Sequence, residues 1–162
     1  VPRPVLLLDV DGVLNPYSAV ECPPGFAEHD LFPGAEPVRL CRVHGVWINR
    51  LRQTFDVVWA TSWNHDANRL LAPLLGVTPL PLAHMPSPPF HPREKVRVIA
   101  RFVGTRPAVW IDDQHPPEAR TWSSARPQPT LLIPVDPATG LTREAVDRAL
   151  EWARDDDPSA TG

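Results

Sequence analysis

Three uninterrupted apolar runs stand out along the chain, and each stops at a polar residue or pair. Val5-Leu6-Leu7-Leu8 ends at Asp9, Val57-Val58-Trp59-Ala60 ends at Thr61-Ser62, and Ala108-Val109-Trp110-Ile111 ends at Asp112-Asp113. A short run with no polar alternation predicts a strand covered on both faces rather than one with a solvated side. Another strand is expected over Thr130 to Val135, and a short one around Leu80 to Ala83. Between the strands, apolar positions recur at three- and four-residue steps, the spacing of one helix face. Leu40, Val43, Val46, Trp47, Leu51 and Phe55 predict a helix ending near Phe55. Leu70, Leu71, Leu74 and Leu75 predict a second from His65, stopped by Gly76 and kinked or cut short by Pro73. Val96, Ile99, Ala100 and Val103 predict a third over Arg93 to Val103. A last helix is expected over Arg143 to Arg154 with Thr142 as its N-cap, although Ala145 stands where a full capping box needs Glu or Gln.

Strands alternating with helices imply an open, mostly parallel α/β sheet, and such sheets bind ligands outside the carboxyl ends of their strands. No repeat or interdomain linker interrupts the pattern, so residues 1–154 read as a single domain. Residues 16–37 hold five prolines and no helical period, which predicts a loop or small hairpin able to act as a flap. The acidic stretch 155–162 reads as a frayed, disordered tail.

Composition narrows the class. With Pro 22, Gly 8 and Cys 2 in 162 residues, the chain has neither collagen's glycine period nor a disulfide framework, and a reducing, cytoplasmic setting fits. No run approaches the roughly 20 apolar residues that span a bilayer, and VPRPVLLLDVDG has no signal-peptide pattern, so no membrane partner is expected. A formal net charge of -3 makes no general argument for nucleic acid, whose binders carry a basic footprint, but leaves room for a local basic groove.

The chemistry lies at the strand ends. Asp9 and Asp11 sit two positions apart and can face one pocket if the chain turns sharply after Asp9, a turn that Gly12 permits. Adding Asp112 and Asp113 places four acids on one sheet edge, where they repel unless protonated or neutralised by a cation. A few carboxylates with room for water and phosphate oxygens suit Mg2+ better than a caged Ca2+, and no Cys/His cluster suggests zinc. Lys95 is the only lysine in a chain with 16 Lys plus Arg. Taken alone it reads more readily as a surface lysine with no special role than as a place where a compact ammonium serves and a planar fork does not.

These elements, taken in order, resemble the haloacid-dehalogenase-like (HAD) phosphohydrolase superfamily. The resemblance is carried by Asp9-Val10-Asp11-Gly12-Val13-Leu14-Asn15, Thr61-Ser62, Lys95 opening a helix, and Ile111-Asp112-Asp113. It implies a Rossmann-like three-layer sandwich and a Mg2+-dependent phosphatase for a phosphomonoester. Asp9 would be the nucleophile forming an aspartyl-phosphate. Asp11 would act as general acid and base and lend its main-chain carbonyl to the metal. Thr61, with Ser62 as the competing choice, would bind a phosphoryl oxygen, and Lys95 would stabilise the transferring group. Asp9, Asp11 and Asp112 would hold Mg2+, and Asp113 would ligate or orient. The intervals between motifs leave no room for a full cap domain, implying an open site for a large or polymeric phosphorylated substrate. A similar strand-Thr-Ser-Trp pattern in HAD domains of nucleic-acid repair adds a polynucleotide end phosphate as an alternative. A phosphate-binding receiver-like or HAD-like module is the non-enzymatic rival, although a receiver domain carries its paired acids at the first strand. Trp63, Asn64, His65, His91, Arg93 and His115 flank the motifs where they could touch substrate, but core packing accounts better for Trp63 and a solvated loop for His91 and Arg93, and Trp47, Trp59, Trp110 and Trp152 read as packing.

Overall fold

The computed structural model describes residues 2–157 and 159. Four parallel strands form its central sheet in the order β4-β1-β5-β6. These are β1 (Val5–Leu8), β4 (Asp56–Trp59), β5 (Ala108–Asp112) and β6 (Thr130–Pro134). The central strand β1 is fully buried, as its unbroken apolar run requires, and alternate side chains enter opposite layers. Leu6 and Leu8 join Ile48, Leu51, Val146 and Leu150 from α1 (Arg42–Leu51) and α5 (Arg143–Asp155). Val5 and Leu7 join Val96, Ile99, Val103 and Ala119 from α3 (Pro92–Val103) and α4 (Pro117–Ala125). The result is the expected three-layer, Rossmann-like sandwich without a cap. Among the described residues no helix is long and apolar enough to cross a membrane.

Register sets up the site. Leu8 pairs with Trp59 on one side and Ile111 on the other, so Asp9, Thr61 and Asp112 leave the sheet at nearly the same level. Lys95 reaches that edge because α3 starts there, with a capping box that fixes its first turn. His91 Nδ1 accepts from the Arg93 amide and Glu94 accepts from the His91 amide.

Several local expectations change. The first helix ends at Leu51 rather than Phe55; Phe55 is 1% exposed and continues the apolar period from a turn. Residues Ala67–Leu71 form a π turn that runs into α2 (Ala72–Leu75), and Gly76 closes it at φ 68. Pro73, which has no N–H for the preceding turn, explains the irregular register. The strand expected over Leu80 to Ala83 is a single bridge between Trp59 and Leu82, because Pro79 and Pro81 cannot donate to a ladder. The Pro-rich excursion holds a two-stranded antiparallel pair, β2 (Ala27–His29) with β3 (Val38–Leu40), so its second strand runs past Pro37. Helix α4 is an additional element that no apolar period in the sequence marks. Of the 155–162 stretch, Asp155 closes α5, and residues 158 and 160–162 lie outside the described residues.

Candidate active site

Asp9, Lys95, Asp112 and Asp113 meet at the carboxyl edge of the sheet. The Lys95 ammonium lies 3.3 Å from Asp9 Oδ1 and 2.6 Å from Asp112 Oδ2. Asp112 is held on every side: the Trp110 indole N–H donates to Oδ2 at 3.0 Å and the Gln114 amide to Oδ1 at 3.0 Å. Tyr17 donates its hydroxyl to Asp113 Oδ2 at 3.3 Å. One oxygen each from Asp9, Asp112 and Asp113 lies within 4.8 Å of the others. Asp113 comes this close because residue 12 is glycine: a Cβ there would sit 2.4 Å from Asp113 Cγ, and the φ of 81° disfavours any side chain.

The electrostatics are those of an acid cluster with too little positive charge. Burial raises Asp9 well above the ordinary carboxylate range, Lys95 relieves this only in part, and Asp112 adds repulsion. For Asp112 burial also pushes upward, but the charge and hydrogen bond of the nearer Lys95 outweigh it and leave the group below its usual value. Asp113 is pushed up to about 6 by burial and by its contact with Asp112. Burial would lower Lys95, yet its two carboxylate partners hold it above the ordinary lysine value. Three acids around one ammonium make an all-oxygen donor set that a hard divalent cation fits and would neutralise.

These groups border a cavity of about 480 Å3, whose wall includes Asp9, Asp11, Tyr17, Ser62, Lys95 and Asp113. Ser62 is exposed on it. Thr61 is 2% exposed and lies behind the wall, where its Oγ1 accepts the Trp63 amide at 3.2 Å. The Asp11 carboxylate stands apart from the three clustered acids, with Oδ2 accepting from Trp63 Nε1 at 3.0 Å and Oδ1 from Asn15 Nδ2 at 3.1 Å. Residue patterns alone missed Trp110 and Trp63 as partners of the acids. Each reads as packing because one N–H on a large apolar ring leaves no periodic trace.

A parallel sheet with an Asp-x-Asp loop after its central strand and a lysine bridging that loop to Asp112 of β5 defines the HAD-like phosphohydrolase class. Within it, residues 5–146 match the family described as "HAD domain in Swiss Army Knife RNA repair proteins", and the chain belongs to that family. No curated protein matches the chain significantly.

Proposed function

We propose that the protein is a Mg2+-dependent phosphatase that removes a terminal phosphate from RNA through an aspartyl-phosphate on Asp9. The observation that carries this reading is Lys95 set between Asp9 and Asp112 on the wall of an open cavity. An Asp9 oxygen attacks phosphorus in line, forming an O–P bond as the bond to the leaving oxygen breaks. Asp11, on the same wall, gives that oxygen a proton. Asp11 then takes a proton from water as the water attacks the aspartyl-phosphate, which releases phosphate and restores the Asp9 carboxylate. Lys95 offsets charge on the transferring group from a fixed position. Ser62 donates to a phosphoryl oxygen from the cavity wall. Thr61, buried behind that wall, accepts the Trp63 amide and so braces the turn that presents Ser62. Mg2+ would be held by Asp9, Asp112 and Asp113, with the Asp11 carbonyl, and would supply charge neutralisation when bound.

Two features support a polymeric substrate. The family's description concerns RNA repair. In addition, Arg93, Arg97 and Arg101 recur every four residues on the exposed side of α3, starting beside the cavity, and none pairs with a carboxylate among the described residues. The negative net charge does not describe this face: Glu144, Asp147, Glu151 and Asp155 belong to α5, in the opposite layer. A row of arginines suits a phosphate backbone.

The test is phosphate release from 5′- and 3′-phosphorylated RNA oligonucleotides and from a panel of small phosphate esters, with and without Mg2+. Mg2+-dependent turnover with the oligonucleotides favoured, and weakened by salt, is the expected result. Turnover of small esters alone would remove RNA from the reading, and no turnover of either would remove the phosphatase.

A further inference from the structure

We infer that Trp63 is a positioning residue for Asp11, and that together with Asn15 it clamps the carboxylate from which the leaving group takes its proton. The inference rests on the phosphatase reading above but concerns residues that reading leaves without a role. Asp11 has no lysine or arginine partner among the described residues. Its orientation is set by two neutral donors, Trp63 Nε1 at 3.0 Å on Oδ2 and Asn15 Nδ2 at 3.1 Å on Oδ1.

Both donors are themselves held in place. Asn15 is 7% exposed, and its Oδ1 accepts the Arg39 backbone amide at 3.1 Å. That bond settles which end of the side-chain amide faces Asp11, since a backbone N–H requires an oxygen opposite it. Trp63 is fixed by the turn that carries it. Its own amide donates to Thr61 Oγ1, and the next residue, Asn64, adopts a φ of 47°. The Asn64 side chain bridges the Met85 backbone, donating to Met85 O at 3.0 Å and accepting from Met85 N at 2.8 Å. The indole rests against Phe32, ring centroids 5.3 Å apart. The loop after β1 and the turn after β4 therefore converge on one carboxylate that the chain could otherwise rotate freely.

The consequence is kinetic. An ionised carboxylate has about four acceptor positions, of which the clamp takes two, leaving one on each oxygen to exchange a proton. Proton transfer needs the oxygen within hydrogen-bond reach of the leaving atom, and a swinging side chain spends little time there. Leaving groups differ in their need for that proton. An alkoxide must be protonated as it departs, whereas p-nitrophenolate leaves readily without it. Loosening Asp11 should therefore penalise alkyl esters selectively, a pattern that general loosening of the fold would not produce.

The experiment compares kcat/KM for p-nitrophenyl phosphate and glycerol phosphate in the wild-type enzyme, Trp63→Phe, Asp11→Asn and the double variant. The kcat/KM value is used because it reports events up to departure of the leaving group, not hydrolysis of the aspartyl-phosphate. Trp63→Phe keeps a ring against Phe32 and removes the N–H. A second replacement, with benzothienylalanine at position 63, keeps the ring shape and removes the same donor if phenylalanine disturbs folding. Both replacements are expected to lower kcat/KM for glycerol phosphate about 10- to 100-fold and for p-nitrophenyl phosphate less than about threefold. In the Asp11→Asn background Trp63→Phe is expected to add almost nothing, because the group it positions is gone. Equal losses on both esters, no loss on either, or full additivity with Asp11→Asn would overturn the positioning role while leaving the phosphatase reading in place. A wild-type enzyme inactive on both esters and on phosphorylated RNA would instead overturn the phosphatase reading and this inference with it.

Discussion

His44 gives the fold an acid-sensitive joint whose size follows from its surroundings. The residue is 1% exposed on α1, its Nε2 shares a hydrogen bond of 3.1 Å with Leu141 O, and Nδ1 has no partner. Phe26 and Trp47 pack against the ring. Burial pulls its pKa from 6.5 down to about 4, with the Leu141 carbonyl opposing. Above pH 6.5 the ring is neutral in both folded and unfolded chains and makes no pH-dependent contribution. As pH falls through 6.5, the unfolded chain takes up a proton that the folded one refuses, so stability drops until about pH 4, where the folded ring is protonated too. At about 1.4 kcal/mol per tenfold, the full loss is roughly 3 kcal/mol. The joint matters to the site because Leu141 N also bonds Val13 O, which fastens the Asp-x-Asp loop from behind. Replacing His44 with Gln keeps an amide N–H for Leu141 O and removes the titration. Urea unfolding of wild type and His44→Gln, followed by tryptophan fluorescence between pH 4 and 7.5 in chelator, isolates the residue as a difference. Asp113, held up near 6, contributes with the opposite sign in both proteins and cancels. The wild type should lose roughly 3 kcal/mol relative to the variant as pH falls. Parallel curves would refute the reasoning.

Three further outcomes follow from the site. Lys95→Arg preserves charge but places a broad fork where a compact ammonium meets Asp112 at 2.6 Å and Asp9 at 3.3 Å; kcat for phosphate release should fall by about 100-fold or more with circular dichroism unchanged. Gly12→Ala drives a Cβ onto Asp113 and holds a side chain at φ 81°. It should cost about 1–3 kcal/mol in denaturant unfolding and weaken Mg2+ binding in a calorimetric titration, and unchanged binding would argue against the packing account. Mg2+ at about 100 times its Kd should stabilise the wild-type fold by about 2.7 kcal/mol in thermal melts, and Asp113→Asn should shrink that gain.

The parts of the molecule that the sequence made legible are buried on two sides, carry a regular apolar face as α3 and α5 do, or are chemically unusual. Val5–Leu8 and Ala108–Ile111 announced themselves because a central parallel strand has no solvated face to interrupt an apolar run. Lys95 stood out as the single lysine, and the acids stood out by position after those runs. Elements that bury little left weak traces. Helix α4 starts at Pro117 and buries only Ala119 fully, so no apolar period marks it, and β2 is exposed along most of its length. Phe55 misled in the opposite direction, since a buried turn residue prolonged a helical rhythm after the helix had ended. The bonds from Trp63 to Asp11 and from Trp110 to Asp112 depend on which way an indole N–H points in three dimensions, information that neither spacing nor composition carries.

The most direct measurement is to quench the enzyme in acid during turnover of an RNA oligonucleotide bearing a labelled terminal phosphate, and then to map the label by mass spectrometry. Label on the peptide containing Asp9, dependent on Mg2+ and absent from Asp9→Asn, is the predicted result. Turnover that proceeds in Asp9→Asn, or label found on another residue, would contradict the account.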